Sequence, residues 1–199
     1  MLKVNKGVEP QFLIEYKKKI NPKNWDDYDH EIKEVLRTLL LIEEQDGYCP
    51  YCERSIHDND EWHIEHIKPQ DKFPKEFQDY NNLLVSCNHK GTCGISKGSK
   101  YSEDFINPVV DNPKEFLQHD LATGKISPMD SEGKNYQKAN YTIEVLNLNE
   151  KSLLIERRNF NKSLIAIKSN YSTDDFRDYL VYCLQEGQSF KSLYELHLK

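Results

Sequence analysis

Two cysteine pairs constrain this chain more than any other feature: Cys49-Pro50-Tyr51-Cys52, and Cys87 with Cys93 further along. C-x2-C is the spacing at which two thiolates grip one tetrahedral Zn²⁺, and a second pair completes the four ligands. A lone C-x2-C could be a redox pair in a thioredoxin-like unit. Here the second pair and the lack of a flanking βαβ pattern weigh against that. The start of the chain, Met1 to Gly7, has no apolar leader, so a cytoplasmic setting with reduced thiols is expected rather than a disulfide framework. The expectation is a structural zinc on Cys49, Cys52, Cys87 and Cys93. His57 or His89 could replace one ligand, and Cys93 is the position most open to replacement. Four thiolates leave no open coordination position, so this metal holds structure. The fifth cysteine, Cys183, sits on an apolar helix face and reads as a core residue.

Between the pairs lie Trp62-His63-Ile64-Glu65-His66-Ile67-Lys68-Pro69 and Asn81-Asn82. A carboxylate such as Glu65 suits a hard cation like Mg²⁺. An imidazole such as His66, near its ordinary pKa, can take a proton from water. Glu-His dipeptides are common on surfaces, and what singles this one out is its place between the metal pairs on a strand closed by Pro69. His63 shares the strand face of Glu65, as a second ligand or as an exposed strand residue. Asn82 precedes an apolar run, where its side chain could bridge two backbone segments and fix the loop carrying His66. Asn81 reads as a turn residue. Lys97 and Lys100 lie beside the second pair, where they could meet phosphate or stay solvated.

The rest of the chain supports one main core with helices around it. Charged residues make up 30% of the 199 and hydrophobics 37%. No apolar run approaches the ~18 residues of a membrane span, so no membrane partner is expected. The formal net charge of -6 opposes unaided capture of nucleic acid, whose affinity comes from Lys and Arg on phosphates. Residues 1–23 show little periodicity. Ile32, Val35, Leu36, Leu39 and Leu40 predict an amphipathic helix over 26–46, stopped by Gly47. Residues 55–69 read as a hairpin turning at Asp58-Asn59-Asp60. The second cysteine pair is expected on turns. Asp111-Asn112-Pro113 predicts a helix to about His119, Ala122-Thr123-Gly124-Lys125 a hairpin turn, and 131–134 a loop between halves. Helices follow at about 137–147, 150–168, 173–186 and 189–197, the third capped by Ser172 with Asp175. The domain reading is 1–136, an N-terminal helix plus the metal-bound core with its motif at 49–98, and 137–199, a helical region packed on that core and free to bind a partner.

Taken together, Cys49-x2-Cys52, Glu65-His66-Ile67-x-Pro69, Asn82-Leu83, Cys87, Cys93 and Lys97-Gly98 resemble the HNH, or ββα-metal, endonucleases. "HIEHIKP", "YNNLLVSC" and "CGISKG" are similar to the HNH nuclease subunit of Septu-type and retron-linked anti-phage systems. The later "ATGKI", "TIEVLNLN" and Arg157-Arg158 extend that likeness over most of the chain. The resemblance implies an α+β, mainly helical fold, with a zinc-stapled ββα-metal motif between an N-terminal helix and a C-terminal helical region. It implies a metal-dependent endonuclease with His66 as general base, Glu65 as ligand of a catalytic Mg²⁺ or Mn²⁺, and Asn82 orienting the histidine. The substrate implied is nucleic acid, DNA favoured over RNA, and the partner an ABC/SMC-like ATPase of the same operon. One position departs from the pattern. Where HNH motifs usually carry a His or Asn metal ligand, three residues before the lysine, this chain has Gly94, and His63, Asn88 or His89 would have to substitute. The competing readings are a zinc-stapled binding module without turnover and a stand-alone nuclease.

Overall fold

A computed structural model describes residues 1–57 and 62–198. The expected turn at 58–60 lies outside the described residues. The chain is α+β and mainly helical, with two small antiparallel sheets among the described residues.

Helix α1, Gln11–Ile20, occupies a stretch whose sequence shows little periodicity, because only Leu13 and Tyr16 of it are buried. Its last turn carries Lys17, Lys18 and Lys19, which complement the helix dipole, and Asn21 closes it in the left-handed conformation. The helix expected over 26–46 is shorter and broken. A 3-10 turn at Trp25–Asp27 is capped by Asn24, Tyr28 is extended, and α2 runs His30–Leu39. A π-helical segment, Leu40–Glu44, then leads to Gly47 at φ 78, as the glycine stop predicts.

The motif follows. Strand β1, Trp62–His66, pairs antiparallel with β2, Leu83–Cys87, with His63 opposite Ser86 and Glu65 opposite Leu84. The expected hairpin within 55–69 is therefore corrected: β1 takes its partner from beyond a long connection, while Ser55 bridges back to Tyr48. The reason is burial. Every residue of β2 is buried, whereas 55–57 offer one buried apolar side chain, Ile56. The outer edge of β2 is closed by a side chain: buried Gln45 accepts from Val85 N–H at 2.7 Å and donates to Val85 O at 3.0 Å. This blunts an otherwise open sheet edge. The short helix α3, Cys93–Lys97, completes the β-β-α order. The second cysteine pair thus sits at a strand end and a helix start, not on turns.

Past the motif, Asn112 caps only a 3-10 turn, Pro113–Glu115. The helix expected to reach His119 gives way to strand β3, Leu117–His119, paired with β4, Ile126–Pro128. Pairing buries Leu117 and Ile126, which a helix there could not do together. The turn at 122–125 joins them, as the sequence predicts. Gly124 has φ +76, and an added Cβ would lie 2.4 Å from Leu154 O. Gly124→Ala is expected to cost about 2 kcal/mol or more, from the left-handed backbone and the clash together; chemical denaturation measures it.

Helices α4, Gly133–Val145, α5, Lys151–Lys168, α6, Thr173–Gln185, and α7, Lys191–His197, close the fold. Ser172 caps α6 through Asp175 N–H. Ala139, Ile143, Leu146, Leu148, Leu153, Phe190 and Leu193 join the same buried cluster as Leu13, Leu36, Ile67, Leu84 and Phe105. A smaller cluster of Leu164, Phe176, Leu180, Cys183 and Tyr194 holds α5, α6 and α7 together, which places Cys183 in a core. Among the described residues no helix is long and apolar enough to cross a membrane.

Candidate active site and metal centre

The sulfurs of Cys49, Cys52, Cys87 and Cys93 all lie within 4.8 Å of one another, and all four residues are buried and free of disulfides. Those of Cys52 and Cys87 are 3.7 Å apart. Zn–S bonds of about 2.3 Å in a tetrahedron require sulfur–sulfur edges of roughly 3.8 Å. The donor set therefore fits one tetrahedral metal ion. His57 and His89 are not needed as replacements. The first pair turns tightly: Cys49 N–H donates to Arg54 O at 2.9 Å, and Glu53 leaves it in the left-handed region at φ 67. Cys93 is left-handed too, at φ 53, and its N–H donates to Leu146 O at 2.9 Å.

Beside this centre, β1 presents three polar side chains. The Glu65 carboxylate is 7% exposed. Its Oε1 lies 2.7 Å from Lys97 Nζ and its Oε2 lies 3.2 Å from His63 Nε2. His63 Nδ1 donates to Asn88 Oδ1, which turns Nε2 toward Glu65. Burial alone would lower the His63 pKa, but the bonds to Glu65 and Asn88 outweigh it and raise it. An octahedral cation with bonds near 2.1 Å has adjacent ligands about 3.0 Å apart. The His63–Glu65 pair, 3.2 Å apart, is spaced close to one such edge.

Gly94 now has an account. A Cβ built there would fall 2.7 Å from His63 Nε2 and 2.9 Å from Glu65 Oε2. His63, reaching in from β1, fills the space that a side chain on α3 would need. Of the three candidate substitutes, His63 is the one the fold brings to Glu65. Asn88 orients it, and His89 lines a different cavity with Arg54, Ser55 and Glu156. Gly94→Ala is therefore expected to displace His63 and weaken Mn²⁺ binding, read by paramagnetic resonance of free Mn²⁺, by about 10-fold or more. Adding Asn or His at 94 should act the same way rather than tighten the site.

His66 ends β1 and is 8% exposed. Its Nε2 lies 2.9 Å from Phe77 O. A carbonyl only accepts, so Nε2 carries the proton and the neutral ring keeps Nδ1 free to accept one. Burial is the main influence on His66, and it lowers the pKa despite the Phe77 bond and the Glu65 charge. The shift favours the neutral ring. Trp25 packs edge-on against it, centroids 4.8 Å apart.

Asn82 is 5% exposed. Its Oδ1 accepts from Lys68 N–H at 2.7 Å, and its Nδ2 donates to Lys68 O and Glu76 O at 3.0 Å each. It ties the end of β1 to the segment whose Phe77 carbonyl holds His66. Glu65 and His66 both line a cleft of ≈ 290 Å³ with Ile64, Pro69, Gln70, Asp71, Gly98 and Ser99.

The two lysines part ways. Lys97 is 1% exposed, and its ammonium also donates to His66 O at 2.9 Å. That corrects the phosphate role expected for it: Glu65 and the end of β1 use its charge, so it braces the site from within. Lys100 is exposed, with Nζ 3.3 Å from Ser96 O, and stays open to an anion. Trp25 and Gln45 were not singled out from sequence. Trp25 lies far from the motif in the chain, and Gln45, four residues before Cys49, meets β2 only through the fold, so nothing in their own neighbourhoods signals either role.

Residues 49–89 match the model of the HNH endonuclease family. The chain is also similar to Septu protein PtuB of Bacillus thuringiensis, at 30% identity over 134 residues, which is 66% of this chain and 46% of that relative. It thus spans about half the length of the curated relative it matches. The four clustered cysteines, the β-β-α order and Glu65-His66 at the strand end, all within residues 49–97, are in keeping with the match of 49–89 to the HNH endonuclease model, and the chain around that segment is similar to PtuB.

Proposed function

We propose that this protein is a metal-dependent HNH endonuclease that hydrolyses phosphodiester bonds, DNA favoured, as the effector of an anti-phage defence complex. The observation that carries the reading is the meeting of His63 and Glu65 beside Gly94, with His66 next along the same strand and lining an open cleft together with Glu65. The four cysteines would hold a structural Zn²⁺. Mg²⁺ or Mn²⁺ held by Glu65 and His63 would supply Lewis-acid stabilisation of charge on the phosphate and on the leaving 3′ oxygen.

The chain's own residues do the rest. His66 Nδ1 takes the proton of a water as its oxygen attacks phosphorus in line. Phe77 O and the edge of Trp25 keep the ring at a fixed angle, and Asn82 keeps the Phe77 segment in place. The P–O3′ bond breaks, leaving a 5′-phosphate, and the 3′ oxygen takes a proton from solvent. Lys97 holds the Glu65 carboxylate so that its Oε2 stays turned to His63.

The net charge of -6 supports a second, more basic subunit holding the nucleic acid, and an ABC/SMC-like ATPase fits that need in the cytoplasm. The test is cleavage of plasmid DNA and of RNA with Mg²⁺ or Mn²⁺, alone and with the ATPase encoded beside it. Metal-dependent cleavage of DNA in either arm is expected. No cleavage in any arm would leave a zinc-stapled module that binds without turnover.

A further inference from the structure

Buried polar groups without a partner are uncommon, and each calls for a cause. Arg157 of α5 is 1% exposed. Its Nη1 donates to Leu148 O at 2.8 Å and to Gly124 O at 3.3 Å. Its Nε and Nη2 are buried with no hydrogen-bond partner. A guanidinium stays protonated in proteins, and an unpaired charge in the interior is costly.

The surroundings supply the cause. The turn after α4 that receives Arg157 at Leu148 O also receives Cys93 N–H at Leu146 O. The preceding residue of α5, Glu156, makes a two-point ion pair of 2.8 and 2.6 Å with Arg54, which directly follows the first cysteine pair and Glu53. Glu53 has its own cation, the Met1 ammonium at 2.6 Å. Arg54 is thus matched by Glu156 and Glu53 by Met1, while Arg157 makes no direct ion pair among the described residues. Burial pushes the Arg157 pKa down, and the negative groups that oppose it are Glu53 first and then Cys52 and Cys93, while Arg54 adds to the fall. The shared turn at Leu146 and Leu148 places the guanidinium on the Cys93 side of the centre. Four thiolates on one Zn²⁺ carry a net charge of about -2, which burial makes expensive without a counter-charge.

We propose that Arg157 is the counter-charge of the four-cysteine centre, so that α5 completes a metal site whose ligands all lie between residues 49 and 93. The proposal rests on the four-thiolate zinc reading and is independent of nuclease activity. It makes metal loading and the docking of α5 one coupled event.

Two variants of the full chain separate charge from hydrogen bonding. Arg157→Lys keeps the charge and loses the fork. Arg157→Gln keeps donors for the two carbonyls and loses the charge. Zinc affinity is measured by competition with a chromophoric chelator, with folding followed by circular dichroism. Arg157→Gln is expected to bind zinc about 10–100-fold more weakly than wild type, and Arg157→Lys within a few-fold of it. Equal affinities in all three proteins, or a loss in Lys as large as in Gln, would overturn the proposal and leave Arg157 as a clamp on two carbonyls. Should Arg157→Gln fail to fold, Arg157→Lys decides: affinity near wild type sustains the counter-charge, and a tenfold or greater loss refutes it.

Discussion

Replacing His66 by alanine is expected to lower the rate of phosphodiester cleavage by about 10²–10⁴-fold, the range that a positioned general base contributes. Metal content and the circular dichroism spectrum should stay those of wild type. The ring's polar link is a bond from Nε2 to Phe77 O, and its packing is one edge of Trp25. Losing both opens a small void beside the cleft but leaves Asn82 holding the Phe77 segment through Lys68 and Glu76. Glu65 keeps its contacts with Lys97 and His63, so binding of a divalent cation should persist without turnover. A single-turnover assay on DNA is the measurement. An unchanged rate would remove His66 from the reaction.

Cys49→Ser or Cys52→Ser is expected to have the larger structural effect. Apparent binding free energies of structural zinc sites run about 10–16 kcal/mol near pH 7, whereas whole domains are stable by roughly 5–15 kcal/mol. A structural zinc on these four cysteines would therefore supply much of the stability of the motif. The four sulfurs pin the exit of the π segment, the end of β2 and the start of α3 at one point. Without that point, Gly94 is no longer held against His63 and Glu65. Either variant should lose zinc by elemental analysis and lose cooperative thermal unfolding. Wild-type protein that is well folded and free of metal, or a serine variant that melts like wild type, would show that packing alone carries the motif.

Deleting 137–199 is a poor way to look for a partner surface. Ala139, Ile143, Leu146, Leu153 and Leu193 belong to the cluster that also holds Leu36 and Leu84. Such a truncation would strip the core of the motif itself.

How far the chain could be read in advance depended on whether a feature is local. The cysteine spacing, the Glu65-His66 pair, the caps at Gly47 and Ser172, and the four C-terminal helices are set by residues a few positions apart, so the sequence alone determined them. Residues 1–23 hid a helix because just two of its side chains face the core. The partner of β1 could not be read, because it is chosen by burial of all five residues of β2 beyond a long connection. The helix expected to reach His119 failed for the same reason, since joint burial of Leu117 and Ile126 outweighed a good capping sequence. Lys97 shows the limit most clearly: in the sequence it is a lysine beside a cysteine, free to meet phosphate. Folding turns it inward, where the carboxylate of Glu65 and the carbonyl of His66 offset the cost of burying its charge. Gly94 likewise reads as a missing ligand until strand pairing brings His63 into the space its absent side chain leaves. Sequence named the chemistry, because donor types and short spacings are local. Which donors meet was decided by tertiary packing, because the distances between them are set by contacts far apart in the chain.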